Sequence, residues 1–289
     1  MKVLARINRQ DAKSAKKSAK KNSFRAAKDL ALGVRILRIF TEGPAANESR
    51  RFSRVKQRGH TVELLGYQDL SRSVRAFNLR FVTLDRFDFE PGQAISVQFT
   101  LDGQSYVRSY SIASPPRATN RLEICARYNP GGPGTRLLWG LRPGDRLTVT
   151  GPHGEFLLKP LEGRDCILVA AGTGIAPIRS MLYSVLRNER RPHVTLLFGV
   201  RDQEDRLYNA DFLELERVNP NFSYRTVMSR PQDDWLGLRG YVQHHVEDAV
   251  RNRHALEVYV SGKKEMVDDV RQMLEELGLD EGSIHYEKT

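Results

Sequence analysis

The sequence predicts two domains of different class, an antiparallel β-barrel followed by a doubly wound α/β domain built on a parallel sheet. From Thr61 to Pro160, short alternating runs are separated by turn signals, which is typical of antiparallel strands. Cys166–Ala171 is instead a continuous apolar run, as in strands buried on both faces of a parallel sheet. Beyond it, strand-like and helix-like segments alternate. The predicted boundaries give three segments, residues 1–60, 61–160 and 161–289.

The first segment is a basic extension. Residues 1–60 contain 17 Lys and Arg against 4 Asp and Glu, whereas the other residues contain 29 against 31, and the net charge of the chain is +11. This segment has little to bury, so we expect it to be disordered. It could be a nucleic-acid- or membrane-binding module, a transit peptide, or an extension outside the functional protein. We favour the last, because no aromatic residues interleave the lysines, and a nucleic-acid partner is therefore not expected.

Six alternating runs predict the barrel. They are Thr61–Leu65, Val74–Val82, Ala94–Thr100, Gln104–Ala113, Arg121–Tyr128 and Arg146–Thr150. Turn-forming pairs such as Pro91-Gly92 and Asp102-Gly103 separate them. Short strands at such regular spacing are typical of a small antiparallel barrel or sandwich.

One of these runs, VRSYSI, combines residue types that suit a phosphate-bearing aromatic cofactor. Arg108 offers a planar, permanently charged fork for a phosphate. Tyr110 offers a flat face for an aromatic ring, and Ser111 a small polar group beside it. The alternative is an ordinary exposed strand that carries one arginine and one tyrosine.

The stretch NPGGPGTRLLWGL follows the fifth run. Gly132 and Gly134 allow close approach of the backbone to a ligand, and Thr135 is a candidate N-cap for a helix over Arg136–Leu141. The N–H groups at that helix start would point at an anion such as a pyrophosphate. The alternative is a plain glycine-rich turn before a short helix.

A second glycine turn follows the apolar run at Cys166–Ala171, and it reads GTGIAP. Strand, glycine turn and a helix over Ile178–Arg187 together predict a dinucleotide phosphate site, with Ala176-Pro177 where a third glycine is usual. The remaining strands are predicted at Val194–Val200, Phe222–Ser229 and Leu256–Ser261, and the helices at Ala210–Arg217, Gln243–Asn252 and Lys264–Leu277.

Composition excludes several other classes. The longest apolar runs are too short to cross a membrane. Cys125 and Cys166 are the two cysteines of the sequence and lie inside apolar runs, so we expect buried thiols and a cytoplasmic location. Two cysteines cannot hold a plant-type iron–sulfur cluster. His244-His245 has no accompanying ligand set, so we expect no metal site.

The motifs R-S-Y-S, G-G-x-G-T, G-P-x-G-x-F and A-G-T-G-I-A-P occur in this order, and over Val62 to Thr289 the chain resembles the ferredoxin–NADP reductase family. The resemblance implies an FAD-binding barrel followed by a nicotinamide-nucleotide domain. It implies that Arg108 binds the flavin phosphate, that Tyr110 lies against the isoalloxazine ring, and that Ser111 lies near N5. The other FAD-binding residues that it implies are Ser109, Gly132, Gly134 and Thr135.

For the nicotinamide nucleotide, the resemblance implies two groups of residues. The pyrophosphate is expected on the second glycine turn, at Gly172, Thr173, Gly174, Ala176 and Pro177. The family's S-R…K-x-Y pattern for a 2′-phosphate is matched here at Ser229, Arg230, Arg239 and Tyr241, and we add Arg201. These residues favour NADPH. Glu204 and Asp205 lie near the expected ribose and would suit an unphosphorylated one, so NADH stays possible.

The resemblance also implies three residues at the chemistry: Ser111, Ser261 and Glu287. Ser261-Gly262 stands where the family usually has C-G near the nicotinamide, and the resemblance implies that Gly262 also binds the nucleotide. Plant-type relatives end in an aromatic residue that covers the flavin, whereas this chain ends in Thr289. Tyr286 could take that place, or nothing does.

The function we expect is that of a flavoenzyme that moves hydride between NADPH and FAD and passes electrons to a separate one-electron carrier, such as ferredoxin or flavodoxin. The cofactor supplies the chemistry, so no catalytic His or Cys is needed. One alternative is an NADH-dependent reductase component of an oxygenase, or a free-flavin reductase. An alternative of another class is a nucleic-acid- or membrane-binding module that acts through the basic extension.

Overall fold

The computed structural model describes residues 59–187, 192–251, 253 and 255–289. Residues 1–58 lie outside the described residues. The predicted disorder of the basic extension, residues 1–60, and the roles considered for it therefore stay predictions. Within the described ranges, no helix is both long enough and apolar enough to cross a membrane. The described chain contains two six-stranded sheets.

The first sheet is antiparallel and curls into a barrel. Its strands are β1 (His60–Asp69), β2 (Val74–Phe81), β3 (Ala94–Leu101), β4 (Gln104–Ser111), β5 (Arg121–Arg127) and β6 (Arg146–His153). Their order is β4-β3-β6-β1-β2-β5, and a bridge between Ile112 and Ile124 joins the two edges. Alternate side chains such as Val62, Leu64 and Leu79 are fully buried in its core. The predicted barrel is confirmed.

The second sheet is parallel, and its strands are β7 (Asp165–Ala171), β8 (Val194–Val200), β9 (Phe222–Met228), β10 (Leu238–Arg239), β11 (Leu256–Gly262) and β12 (Ile284–Lys288). Their order is β10-β9-β8-β7-β11-β12. The strand order reverses between β7 and β11, and in such sheets ligands bind outside the carboxyl ends of the strands at that point. The predicted doubly wound domain is confirmed. The domain boundary near residue 160 stays a prediction.

Helices cover both faces of the second sheet. Helices α2 (Ile175–Val185) and α3 (Asn209–Val218) pack on one face, whereas α4 (Val246–Val250) and α5 (Lys264–Glu276) pack on the other. The earlier helix α1 (Pro133–Gly140) lies against the barrel and buries Leu138 in its core. Apolar cover on both faces explains why β7 reads as an unbroken apolar run.

Three predicted helix bounds were wrong, and two strands were missed. Helix α1 begins at Pro133 instead of Arg136, and α2 begins at Ile175 instead of Ile178, because each backbone turns helical inside its glycine turn. The predicted helix over Gln243–Asn252 is a 3₁₀ turn, Val242–His245, followed by the short α4. The strands β10 and β12 are short and edge-located, so they carry too little pattern to be recognised.

A buried polar network joins the barrel to the second sheet. The Arg179 guanidinium on α2 donates to the Ala113 carbonyl at 2.9 Å, to Glu123 of β5 at 3.4 Å and to Asp211 of α3 at 2.8 Å. The Tyr208 hydroxyl donates to the same Glu123 carboxylate at 2.8 Å, and its ring lies under Arg179. A charge buried with this many partners fixes the arrangement of the two domains.

Candidate functional site

Arg108 and Tyr110 lie beside the glycine turn before α1, as the sequence predicts. A Cβ added to Gly134 would lie 2.5 Å from the Tyr110 hydroxyl and 3.0 Å from Cγ of Arg108. The Arg108 side chain is exposed, with Nη1 donating to its neighbour's carbonyl, Val107 O, at 2.8 Å. Burial raises the pKa of Tyr110 to about 12, against the opposing charge of Arg108. An accessible cation, an aromatic ring and a helix start therefore meet at one surface.

Thr135 was wrongly predicted as the N-cap of α1. The N-cap is Gly132, and Thr135 lies in the first turn of the helix. Its hydroxyl donates to the carbonyl of Asn129 at 2.7 Å and accepts the N–H of the same residue at 3.2 Å. Thr135 therefore closes the turn with its side chain, while the N–H groups at the start of α1 have no carbonyl within the helix to bond.

Ser109 points away from Arg108 and Tyr110. Its hydroxyl lies 2.9 Å from that of Ser96 on β3, which in turn lies 2.8 Å from Nε2 of His153. Successive residues of a strand face opposite sides, so the structure places Ser109 on the face away from the Arg108 side chain.

Ser111 meets the last strand of the second sheet. Its hydroxyl donates to Oε2 of Glu287 at 3.3 Å. Burial raises the pKa of Glu287, and the hydrogen bond from Ser111 opposes that rise. Parallel pairing of β11 and β12 places Ser261 opposite Glu287. The Ser261 hydroxyl is fully buried and has no hydrogen-bond partner among the described residues. The three residues predicted for the chemistry are thus brought to one junction between barrel and sheet.

The second glycine turn lies at the carboxyl end of β7, next to this junction. Gly172 adopts φ +57°, a conformation that glycine takes most readily. A Cβ on Gly174 would overlap the carbonyl of Ser261 and lie 2.7 Å from the Gly262 nitrogen. Ala176 and Pro177 are buried in the first turn of α2. These last two residues therefore pack the helix against the sheet and present no side chain to a ligand.

A cleft of about 600 Å³ opens from this turn along the carboxyl ends of the parallel strands. Of the predicted nucleotide-binding residues, those that line it are Gly172, Thr173, Arg201, Ser229, Arg230 and Tyr241. Arg127 of the barrel and Lys263 also line it, and sequence reasoning missed both. Arg127 ends β5 opposite Val74, and its position beside Gly172 arises from contact between domains, which the sequence does not show.

Two charged residues lie differently from expectation. The Arg239 side chain is outside the lining of the cleft and donates to main-chain carbonyls, with Trp235 O at 2.8 Å. Glu204 forms an ion pair with Arg72 of the barrel, whose Nε lies 2.6 Å from Oε2. Asp205 does line the cleft. Of the two acids that suited an unphosphorylated ribose, Glu204 is therefore partnered by a cation, whereas Asp205 stays at the cleft.

Tyr286 does not take the covering place considered for it. Its ring lies under the Arg271 guanidinium of α5 at 4.3 Å, whereas Glu287 faces Ser111 of the barrel. Adjacent residues of β12 point to opposite faces, so Tyr286 points away from the junction. Thr289 instead lines the cleft, with its N–H bonded to the carbonyl of Gly262 at 2.9 Å.

Two protein-family profiles match the chain. The profile described as "Oxidoreductase FAD-binding domain" matches residues 61–157, and "Oxidoreductase NAD-binding domain" matches residues 168–272. The chain is 35% identical over 234 residues to ferredoxin–NADP reductase B of Sorangium cellulosum, covering 78% of this chain and 96% of that protein. It is 31% identical over 242 residues to the phenol hydroxylase P5 protein of Acinetobacter pittii, covering 80% and 67%.

Solved structures agree with the fold. The cytochrome P450 reductase GcoB of Amycolatopsis superposes with a TM-score of 0.73 at 28% identity, covering 81% of this chain and 71% of that one. A ferredoxin–NADP⁺ reductase from Neisseria gonorrhoeae superposes with a TM-score of 0.69 over 81% and 99%, at 21% identity, a likeness of fold alone.

Proposed function

The chain belongs to the ferredoxin–NADP reductase family of FAD- and NAD(P)-binding oxidoreductases, and from this premise we propose that it oxidises NADPH and passes the electrons to a separate one-electron carrier protein such as ferredoxin or flavodoxin. One observation carries the proposal. A cleft lined by Arg201 and Arg230 also includes Gly172 and Thr173 of the second glycine turn, whose Gly174 lies against Ser261 of the junction.

The residues of the barrel fit a flavin dinucleotide. The absent Cβ of Gly134 leaves room for the Tyr110 ring and the Arg108 side chain beside the start of α1. In this proposal Arg108 and the N–H groups at that helix start hold the phosphates, and Tyr110 supports the ring. Bound FAD supplies the two-electron and one-electron redox chemistry.

The charges of the cleft favour NADPH over NADH. A 2′-phosphate needs cations and hydroxyls, and Arg201, Arg230, Ser229 and Tyr241 provide them at one end of the cleft. Both arginine side chains are accessible from solvent. Glu204 is paired with Arg72 and does not line the cleft, whereas Asp205 and Glu265 do.

The junction residues orient the reacting ring and exclude water. In this proposal the nicotinamide carboxamide bonds the Ser261 hydroxyl, whose present lack of a partner is costly in a buried position. Ser111 and Glu287 hold a proton near the flavin, which is consistent with the raised pKa of the Glu287 carboxyl. Orientation of the two reacting rings accelerates hydride transfer.

A second candidate acceptor is the hydroxylase of an oxygenase system. This chain is similar to the phenol hydroxylase P5 protein and to the cytochrome P450 reductase GcoB, whose names connect them with a hydroxylase and a cytochrome P450, and this similarity favours the second candidate.

The cytoplasmic location is also part of the proposal. Cys125 and Cys166 are buried free thiols, and a reducing compartment would keep them in that state.

The test is anaerobic reduction of the purified yellow protein, followed by its visible absorbance. We expect bleaching by NADPH at a lower concentration than by NADH. Arg230→Ala should raise the KM for NADPH about tenfold, the loss of one charge-assisted hydrogen bond, and leave the KM for NADH unchanged.

Arg217→Ala is the matched control, because Arg217 forms an exposed ion pair with Glu214 away from the cleft. Equal effects of Arg230→Ala on both nucleotides would contradict the assignment of Arg230 to the 2′-phosphate, and bleaching by NADH at the lower concentration would contradict NADPH as the donor. Reduction of added ferredoxin or flavodoxin in the same assay supports the carrier, and turnover with an oxygenase component alone supports the second candidate.

A further inference from the structure

The segment between β9 and β10 leaves the sheet beside the cleft and returns to it. We call residues 230–238 the ribose-side loop. At its start the N–H of Arg230 donates to the carbonyl of Arg201 at 2.7 Å, and after its end the N–H of Gly240 donates to Met228 at 2.8 Å. The main chain is thus tied at both ends. Between them the loop is open to solvent, and Leu236 is 99% exposed.

Arg239 reaches back into this loop with its side chain. Its Nη2 group donates to the carbonyl of Trp235 at 2.8 Å and lies 3.3 Å from the carbonyls of Gln232 and Asp233. The carbonyl of Arg239 itself lies 2.8 Å from Nε2 of His245. Carbonyl oxygens carry partial negative charge, so three that converge on one permanent cation hold the main chain around it.

The ring of Trp235 completes the packing of the loop. Its Nε1 donates to the carbonyl of Leu238 at 3.0 Å, and a Cβ on Gly237 would overlap the ring. The Arg206 guanidinium lies 5.7 Å from the same ring. The loop is therefore folded on its own main chain, and the exposed Arg239 guanidinium binds three of its carbonyls.

We propose that Arg239 is a positioning residue, which holds the ribose-side loop and through it keeps the Arg230 side chain in the cleft. The inference rests on the proposed function in one respect, since it takes Arg230 as the group that meets the 2′-phosphate. Arg230 is followed by Pro231, so its own backbone is restricted and its direction depends on where the loop continues. The resemblance to the family implied instead that residue 239 contacts the phosphate.

The first test needs no nucleotide. Hydrogen exchange of the flavin-loaded protein, followed by mass spectrometry, measures opening of the loop. In Arg239→Ala we expect exchange of the hydrogen-bonded amides of Arg230 and Trp235 to be about tenfold faster, because the loop loses its hydrogen bonds to a charged group. Arg217→Ala should leave it unchanged. Unchanged exchange in Arg239→Ala would overturn the inference.

The second test is a double-mutant cycle on the KM for NADPH. Arg239→Ala should raise this KM several-fold with little change in kcat, and should add nothing when Arg230 is already alanine. An additive rise would show that residue 239 meets the phosphate directly, which overturns the inference. Arg239→Lys keeps a positive charge but lacks the planar guanidinium. If this variant recovers the wild-type KM for NADPH while amide exchange in the loop stays fast, the charge alone matters and the inference is overturned.

The two proposals can fail separately. If Arg230→Ala affects NADPH and NADH alike, the 2′-phosphate assignment falls. Coupling of the two arginines is then measured on the KM for both nucleotides, together with the exchange of the loop. If Arg230→Ala is selective and Arg239→Ala is additive with it, the proposed donor stands and the positioning role of Arg239 is refuted.

Discussion

The glycine turn before α1 and the glycine turn before α2 share a sequence signature, but they are crowded by different atoms. A side chain at Gly134 would meet two side chains, at the hydroxyl of Tyr110 and at Cγ of Arg108. A side chain at Gly174 would meet the main chain of Ser261 and Gly262. The first glycine makes room for groups that face a ligand, whereas the second lets a helix approach a neighbouring strand.

Each turn also has an arginine of the barrel beside it. Arg108 lies against Gly134, and Arg127 lies against Gly172, where its Nη2 group would be 3.6 Å from an added Cβ. A glycine turn in the sequence therefore indicates close approach, but the atoms that approach decide whether a substitution damages ligand binding or the fold.

The largest effect is expected for Gly174→Ala. Since the colliding atoms are backbone, the strand or the helix must move, which costs about 1–3 kcal/mol, or several degrees in Tm. Thermal unfolding followed by circular dichroism measures it. Gly131→Ala is the control, because its nearest neighbour would be 3.9 Å away. An unchanged Tm for Gly174→Ala would contradict the idea that this glycine is required for packing of the main chain.

Gly134→Ala should act on the ligand instead of the fold. Tyr110 and Arg108 must move aside, so we expect FAD affinity to fall about tenfold, while the apoprotein keeps its Tm because alanine favours the helix over glycine. The ratio of flavin absorbance to protein after gel filtration measures this. Gly131→Ala in the same turn should keep its flavin, and a flavin-replete Gly134→Ala protein would contradict the prediction.

Arg127→Ala sharpens the comparison on the nucleotide side. Arg127 lies beside Gly172, where we propose that the pyrophosphate shared by NADPH and NADH binds. We expect the KM for both to rise by a similar factor, roughly tenfold, with unchanged flavin content. Steady-state kinetics with each nucleotide measure it. A rise confined to the KM for NADPH would indicate instead that Arg127 contacts the 2′-phosphate.

The smallest effect is expected for substitution of Glu287, which accepts the Ser111 hydroxyl at the junction of barrel and sheet. Burial raises the pKa of this carboxyl above its value in the unfolded chain, so ionisation of Glu287 destabilises the folded protein. The destabilisation is complete at pH values above the folded-state pKa and absent at pH values below the unfolded-state pKa. Glu287→Gln should therefore raise Tm slightly at about pH 7 and leave it unchanged below about pH 4. A Tm difference that is the same at every pH would exclude the carboxyl as its cause.

The local patterns of the sequence were enough to predict both turns and both sheets, apart from the edge strands β10 and β12. Alternation along β2 and the unbroken apolar run of β7 reflect which faces are covered, and burial imposes that pattern directly on the residues. The junction of Ser111, Ser261 and Glu287 was predictable through the family resemblance, since no periodicity relates residues so far apart in the chain.

The positions that sequence reasoning missed depend on contacts between distant segments. Arg127 and Lys263 reach the cleft only because the barrel and the sheet meet there. Thr135 and Arg239 have residue types suited to ligands, but main-chain carbonyls engage both. Residue type predicts what a side chain can bond, whereas the nearest available partner decides what it does bond.

The Arg179 network sets a condition for exchanging modules among related reductases. A chimera that replaces the barrel and keeps the nucleotide domain would retain Arg179, Asp211 and Tyr208 but lose Glu123 of the original barrel. Asp211 would still compensate the buried charge, so we expect the loss of the Glu123 contact to cost about 1–3 kcal/mol. An engineer who changes nucleotide preference by domain exchange should therefore transplant the carboxylate at position 123 together with the domain that needs it.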